Sequence, residues 1–236
     1  MAETAGGFGG WIPGTVDTPF DRGAPQRRCL GAGPAPELGI INSRPMSDPA
    51  PRTGNAPSLL IRASRAGDLE AITAIYAWHA EHGSGTFELE GPSRDEMARR
   101  RDEVLSKNLP WLVAERNGEV LGYAYANHFR PRLAYRFALE DSIYLAPQAQ
   151  GQGIGRLLLA ELVAQCTARG GRQMLAVIGD SANAASIGLH RAQGFTEIGT
   201  LRAAGWKFER WLDVVLMQRP LGLGDSAAPC SPDTAA

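Results

Sequence analysis

The chain has 236 residues, a formal net charge of −1 and 21% charged residues. This balance excludes a strongly basic nucleic-acid binder and an acidic solvating chain as leading interpretations. No apolar run approaches the roughly 18 residues of a membrane-spanning helix, and the N-terminus lacks the charged start and apolar segment of a secretory signal.

Glycine and proline are concentrated at the two ends, where they make up about a third of residues 1–58 and nearly a third of residues 220–236. These ends carry few periodic apolar residues, so they cannot bury enough surface to offset the entropy of ordering. We predict disordered tails over 1–58 and 220–236 and one folded domain over 59–219. Met46 leaves two readings of residues 1–45, a true flexible tail or an extension from a start codon placed too early.

The three cysteines are Cys29, Cys166 and Cys230, and they lie far apart without the spacing of a metal site. This usage fits a reducing, cytoplasmic location without a disulfide framework. We expect no metal ion.

Hydrophobic periodicity predicts a first strand over 59–62 and a helix over 68–82 that ends before Gly83. The segment from Ser93 to Glu96 matches a capping box, which predicts a second helix that extends to Lys107. Apolar-rich runs over 111–115 and 119–126 flank Asn117-Gly118, a pair typical of a tight hairpin turn.

The later elements follow the same signals. We predict strands over 139–145, 173–178, 195–201 and 211–217, an apolar helix after a glycine-rich loop, and a short helix over 184–193. The order β-α-α-β-β-β-α-β-α-β-β predicts one α/β domain with a mixed sheet. In strand 139–145, alternation assigns Leu139, Asp141, Ile143 and Leu145 to one face and Glu140, Ser142 and Tyr144 to the other.

The glycine-rich loop is Gln150-Gly151-Gln152-Gly153-Ile154-Gly155-Arg156, placed between a strand and a helix. Free N–H groups and the helix dipole make such a loop suited to a phosphate, and glycines let the phosphate approach. The loop lacks the Gly-Lys-Ser/Thr of a P-loop and the third glycine of a dinucleotide fingerprint, where Arg156 stands. The alternative is a turn that is rich in glycine for tightness alone.

Read in register, this loop resembles the acyl-CoA pyrophosphate loop of the GNAT superfamily of N-acetyltransferases, and the segment from Asn183 to Phe195 resembles the superfamily's next motif. A closer resemblance is to the phosphinothricin and methionine sulfoximine acetyltransferases. It covers about residues 59–221 and neither tail, and its matching segments are 110–115, 134–145, 176–179, 189–195, 201–207 and 211–214.

The resemblance implies a GNAT-like fold with helices on both faces of the sheet, and direct acetyl transfer from acetyl-CoA to the amine of a small amino-acid analogue. It implies that Glu140 is the catalytic base, with a surface salt bridge as the alternative; we assign that surface role to Asp141. It implies that His190 is the acid for the departing thiolate, with a helix histidine bonded to backbone as the alternative. His79, His82 and His128 show no partner pattern and are expected to be surface or core residues.

The resemblance also implies binding residues. The coenzyme would contact Gly151, Gln152, Gly153, Ile154, Gly155 and Arg156, the backbone of Ile143, Tyr144 and Leu145, and Asn183, which also suits a helix N-cap. The acceptor would meet the cations Arg130, Arg132 and Lys207 and a wall of Thr86, Phe87 and Tyr135; ordinary packing is the alternative for each. The segment Gly85–Glu88 departs from the phosphinothricin enzymes, which leaves the acceptor open.

Related enzymes suggest a homodimer with the last strands near the interface. Two other functions stay open. The same fold could acetylate a different amine, such as a peptide N-terminus, a polyamine or an antibiotic, or the domain could bind acyl-CoA without catalysis. An acceptor panel separates these readings. We expect no nucleic-acid or membrane partner.

Overall fold

The computed structural model describes residues 58–229. Cys29, Cys230, nearly all of the expected N-terminal tail and the question raised by Met46 lie outside the described residues.

Within residues 58–229, eleven regular elements follow one another in the order expected from the sequence. The strands are β1 (Leu60–Ala63), β2 (Trp111–Arg116), β3 (Glu119–His128), β4 (Ala138–Leu145), β5 (Gln173–Gly179), β6 (Thr196–Lys207) and β7 (Arg210–Pro220). The helices are α1 (Leu69–His82), α2 (Arg94–Ser106), α3 (Ile154–Ala168) and α4 (Ala184–Ala192). None of the helices in this part of the chain combines the length and the apolar character that crossing a bilayer requires.

All seven strands join one sheet in the order β1-β2-β3-β4-β5-β7-β6. Neighbouring strands pair antiparallel, except that β4 and β5 run parallel. The crossover between them carries α3, as a parallel connection requires.

Helices cover both faces of the sheet, as predicted. The ring of Tyr144 on β4 meets the ring of Tyr76 on α1 at 5.0 Å between centroids. Asp141, three residues earlier and on the opposite face, contacts His190 on α4. Alternation along β4 therefore divides the helices into an α1 side and an α3–α4 side.

The predicted hairpin turn forms as expected, and the predicted capping box forms in part. Asn117 and Gly118 adopt φ angles of 53° and 82°, the left-handed conformation of a tight hairpin turn. Ser93 Oγ accepts the N–H of Glu96 at 3.2 Å and begins α2. The second half of the predicted capping box is replaced, since the Glu96 carboxylate pairs with Arg99 and Arg100.

The last two strands are longer than the sequence predicted. β6 and β7 continue past residues 201 and 217 and meet at a turn where Phe208 and Glu209 have φ angles of 54° and 57°. Neither residue is a usual left-handed turn former, so the turn gave no sequence signal. Within the expected tail, Leu221 is buried and Arg172 donates to the carbonyl of Ala228 at 3.0 Å.

Candidate active site

A cleft opens where β4 and β5 separate. The two strands pair only as far as Asp141 with Ala176, although β4 continues to Leu145 and β5 to Gly179. Beyond that point, the edge of β4 that faces β5 has no strand partner in the described sheet. Its backbone groups are therefore available to a ligand that lies along the strand.

The cleft continues into a cavity of about 810 Å³. The residues that line it belong to the end of α1 and the loop that follows, to β4 with Tyr125 of β3, to the glycine-rich loop, and to the end of β5 with α4. A cavity of this size suits an extended coenzyme arm together with a small second substrate.

The glycine-rich loop delivers the N-terminus of α3 to this cavity. Gly151 and Gly153 have φ angles of 72° and 76°, which favour glycine, and a Cβ at either position would meet no atom within 4 Å. Gly155 has a different role, since a Cβ there would lie 3.3 Å from the Leu189 side chain. Open space beside the first N–H groups of a helix is the arrangement that an anion requires.

The predicted coenzyme residues divide into two groups. Ile143, Tyr144, Leu145, Gly151, Gly153, Gly155, Arg156 and Asn183 line the cavity. Gln152 and Ile154 do not. Gln152 accepts from Arg116 at 3.0 Å and donates to the carbonyl of Gln148 at 2.7 Å, while the Ile154 side chain is buried in the core.

Asn183 caps α4. Its Oδ1 accepts the N–H of Ser186 at 3.2 Å, and its Nδ2 donates to the carbonyl of Gly179 at 3.4 Å. Since the side chain also lines the cavity, the N-cap role and a coenzyme contact are compatible.

Glu140 lines the cavity from the α1 side of β4. Burial raises the pKa of its carboxyl; the charge of Arg130 partly offsets this rise, and the charge of Asp141 adds to it. Among the described side chains, none forms a hydrogen bond or a salt bridge with this carboxylate, so the surface salt bridge considered as the alternative is not observed. A carboxylate with a raised pKa and free oxygens is suited to accept a proton.

Asp141 differs from the sequence expectation. It was assigned to a surface salt bridge, but its side chain is buried and its Oδ2 lies 2.9 Å from His190 Nε2. Its Oδ1 is buried and has no hydrogen-bond partner among the described residues. The sequence carried a signal for this, since alternation placed Asp141 on the same face as three apolar residues.

His190 is held at both ring nitrogens. Nδ1 lies 2.7 Å from the carbonyl oxygen of Ser186, which can only accept, and Nε2 faces the carboxylate of Asp141. Burial alone would lower the pKa of His190, but the hydrogen bond and charge of Asp141, together with the Ser186 carbonyl, raise it. Both ring nitrogens therefore face oxygen atoms, an arrangement that favours the imidazolium form paired with the carboxylate of Asp141.

Of the six residues predicted to contact the acceptor, only Thr86 lines the cavity. Arg130, Arg132 and Tyr135 lie exposed in the β3–β4 connection, where Arg130 stacks over Phe129 at 4.2 Å. This connection adjoins Glu140, because Asn127 pairs with Glu140 at that end of the hairpin.

Phe87 and Lys207 pack beside the cavity without lining it. Lys207 is only 3% exposed, and its Nζ donates to the carbonyl oxygens of Gly83 at 2.8 Å and Thr86 at 2.9 Å. Its ammonium is thus occupied by backbone and does not face the cavity.

Sequence reasoning missed His79. This residue of α1 lines the cavity, and its Nε2 lies 2.8 Å from the carbonyl oxygen of Leu145, at the open end of β4. Burial lowers the pKa of His79, so the neutral ring donates to that carbonyl. No spacing rule links a helix histidine to a strand end 66 residues later.

Comparison with known proteins identifies the family to which the chain belongs. The family model described as "Acetyltransferase (GNAT) family" matches residues 72–195. The chain is 51% identical over 195 residues to a phosphinothricin N-acetyltransferase from Alcaligenes faecalis, covering 78% of this chain and 99% of the relative. The chain belongs to the GNAT acetyltransferase family.

Two further relatives extend the comparison. An L-methionine sulfoximine/L-methionine sulfone acetyltransferase from Salmonella typhimurium is 37% identical over 171 residues, which are 72% of this chain and 98% of that one. The crystal structure of a GNAT superfamily phosphinothricin acetyltransferase from Sinorhizobium meliloti, in complex with AcCoA, matches with a TM-score of 0.72 and 49% identity. That match covers 75% of this chain and 97% of the other. The GNAT-like fold expected from the sequence is confirmed.

Within residues 58–229, no group of three or more His, Cys, Asp or Glu side chains is arranged to hold a metal ion.

Proposed function

We propose that this chain transfers the acetyl group of acetyl-CoA to the amino group of a small amino-acid analogue such as phosphinothricin or methionine sulfoximine. The observation that carries the proposal is the position of Glu140: a half-buried carboxylate, free of ion pairs among the described residues, in the cavity where β4 and β5 separate. The identities of 51% and 37% to acetyltransferases named for these two acceptors support the substrate class.

The coenzyme would bind along the cleft from the start of α3 to the edge of β4. Its diphosphate would bind the N–H groups at the start of α3, around Gly153 and Gly155. Its pantetheine arm would lie along the unpaired edge of β4 at Ile143–Leu145, in the manner of an added strand. This course brings the thioester toward Glu140, three residues before Ile143 on the same strand.

The transfer step follows from this placement. Glu140 takes a proton from the acceptor's ammonium, directly or through one water, and the free amine attacks the thioester carbon. A C–N bond forms as the C–S bond breaks, and a backbone N–H of β4 stabilises the oxyanion. Attack is direct, without an acyl-enzyme.

The departing thiolate needs a proton. His190 was predicted as its source, but releasing Nε2–H would break the bond to Asp141. We propose instead that the attacking nitrogen gives up its second proton as the amide forms, and that water in the open cleft relays this proton to the thiolate, since the usual pKa of a thiol is about 8.5. His190 then fixes α4 against β4 beside the catalytic base.

We further propose a homodimer that uses the β6–β7 edge. β6 is the outer strand of the sheet, and its region exposes large apolar side chains at Ile198, Leu201, Trp206, Phe208 and Trp211. Exposed apolar surface on an edge strand is commonly covered by a partner. A cytoplasmic location is part of the same proposal, since acetyl-CoA is an intracellular thioester.

The direct test measures free thiol release from acetyl-CoA with purified full-length protein. Phosphinothricin and methionine sulfoximine are offered beside a panel of a peptide N-terminus, a polyamine and an aminoglycoside. We expect the highest kcat/KM with the two amino-acid analogues. A preference for another amine would overturn the acceptor class, and acetyl-CoA binding without turnover of any acceptor would favour a non-catalytic acyl-CoA-binding module.

A further inference from the structure

The loop after α1 forms one wall of the cavity. Residues 83–86 line the cavity, and the loop has no helix or strand of its own there. A loop without backbone pairing keeps a fixed shape only if other parts of the chain hold it.

Lys207, the last residue of β6, binds this loop from outside the cavity. Its buried ammonium donates to two carbonyl oxygens of the loop, those of Gly83 and Thr86. The two acceptors are three residues apart, so one side chain closes the loop into a fixed turn. Burying an ammonium is costly unless it is well hydrogen-bonded, so the two bonds constrain Lys207 and the loop together.

Two glycines let the loop approach the sheet. A Cβ at Gly205 of β6 would lie 2.2 Å from the Phe87 ring, and a Cβ at Gly179 of β5 would lie 2.2 Å from the carbonyl oxygen of Ser84. Real side-chain atoms do not come this close. The loop therefore sits where β5 and β6 carry no side chain.

The far end of the loop is tied to α1 and α2. Thr86 Oγ1 lies 2.9 Å from the hydroxyl of Tyr76, which donates to Glu88 at 2.8 Å. Glu88 in turn accepts from Arg100 at 2.7 Å. The wall is thus held at both ends, with Lys207 as the connection to the C-terminal half of the sheet.

We propose that Lys207 is a positioning residue that sets the acceptor wall of the cavity, and through it the affinity and selectivity for the acceptor. It acts through the carbonyls of Gly83 and Thr86 and does not bind the acceptor's anion itself. The hydrogen bonds of Lys207 go to this loop and to neither the glycine-rich loop nor β4, so we expect coenzyme binding to change much less. The inference deepens the proposed function and rests on it.

The test compares Lys207→Met, which keeps the length of the side chain and removes its donors, with Gly205→Ala, which displaces Phe87 and leaves every charge in place. Arg94→Met is the matched control, since it removes a positive charge from an exposed site on α2. Each variant is assayed for acceptor KM and kcat, and for acetyl-CoA Kd by calorimetry without acceptor.

We expect both loop variants to raise the acceptor KM by roughly ten-fold or more, because each displaces the wall that the acceptor contacts. Their acetyl-CoA Kd should stay within about two-fold of the wild type, and the control should match the wild type throughout. Hydrogen exchange should quicken in a peptide spanning residues 83–88 of Lys207→Met and stay unchanged in one spanning 150–156.

Three results would overturn the proposal: an unchanged acceptor KM in Lys207→Met, an equal weakening of acceptor and coenzyme binding, or a raised KM in Lys207→Met with a normal KM in Gly205→Ala. The last would indicate direct contact between Lys207 and the acceptor. If Lys207→Met fails to fold, Gly205→Ala and Lys207→Gln carry the same measurements. Turnover by the wild type tests the proposed function separately, and the variants are compared on whichever panel acceptor the wild type uses.

Discussion

Replacing His190 by leucine should destabilise the fold strongly, because it leaves a buried carboxylate without its partner. The side chains of His190 and Asp141 are 3% and 1% exposed, so the carboxylate left by the substitution would be poorly hydrated. Breaking a buried ion pair from one side costs about 3–5 kcal/mol. At roughly 2–4 °C per kcal/mol for a chain of this size, the melting temperature should fall by about 6–20 °C.

Removing both charged groups together should recover most of the stability that His190→Leu loses. A double variant, Asp141→Val with His190→Leu, replaces the ion pair by an apolar contact, which is often nearly neutral for stability. We therefore expect the effects of the two single variants on the free energy of unfolding to be strongly non-additive, with the double variant far more stable than their sum predicts. Equilibrium unfolding in urea at pH 6, followed by circular dichroism, measures all four proteins.

The same pair predicts a pH dependence. Because the pKa of His190 is raised in the folded state above its usual 6.5, the stabilisation from its protonation is fully present below pH 6.5. It is lost as the pH rises through the folded pKa, so the advantage of the wild type over the double variant should shrink in alkaline solution. Additive single variants, or a cost below about 1 kcal/mol for His190→Leu, would refute the assignment of a buried ion pair.

Three further outcomes follow from the site. Glu140→Gln should lower kcat by about 10²–10⁴-fold, the usual contribution of a general base, and normal turnover by this variant would show that Glu140 is not the base. In the wild type, kcat/KM should fall as the pH is lowered through a pKa above the ordinary 4.5 of glutamate. Gly153→Ala should raise the KM for acetyl-CoA, because the φ of 76° strains any other residue, and should leave acceptor KM unchanged. Cys166 is buried and burial raises its pKa to about 12, so peptide mass mapping should find it alkylated by iodoacetamide only after unfolding.

Much of the fold could be predicted because its signals are local. The Asn117-Gly118 pair carries its own backbone preference, and Ser93 caps α2 with atoms three residues away. Alternation along β4 correctly separated Glu140 from Asp141. The glycine loop could be predicted for the same reason, since the left-handed angles of Gly151 and Gly153 are a property of those positions.

The remainder depends on contacts between distant parts of the chain. Asp141 and His190 are 49 residues apart, so the face of Asp141 was predictable but the helix that covers it was not. Lys207 meets the carbonyl of Gly83 across 124 residues, and a cationic side chain gives no sequence sign that it will bind backbone. The turn at Phe208 and Glu209 was missed because tertiary pairing of β6 and β7 overrides the residues' weak preference for positive φ.

The central claim is that acetyl-CoA binds in the opening between β4 and β5 with its thioester beside Glu140. A crystal structure of the full-length chain with acetyl-CoA tests it most directly. We expect diphosphate oxygens within hydrogen-bond distance of the N–H groups around Gly153, and the thioester carbonyl within reach of Glu140 through at most one water. A coenzyme bound outside this cleft, or a thioester turned to the Asp141 face of the sheet, would contradict it.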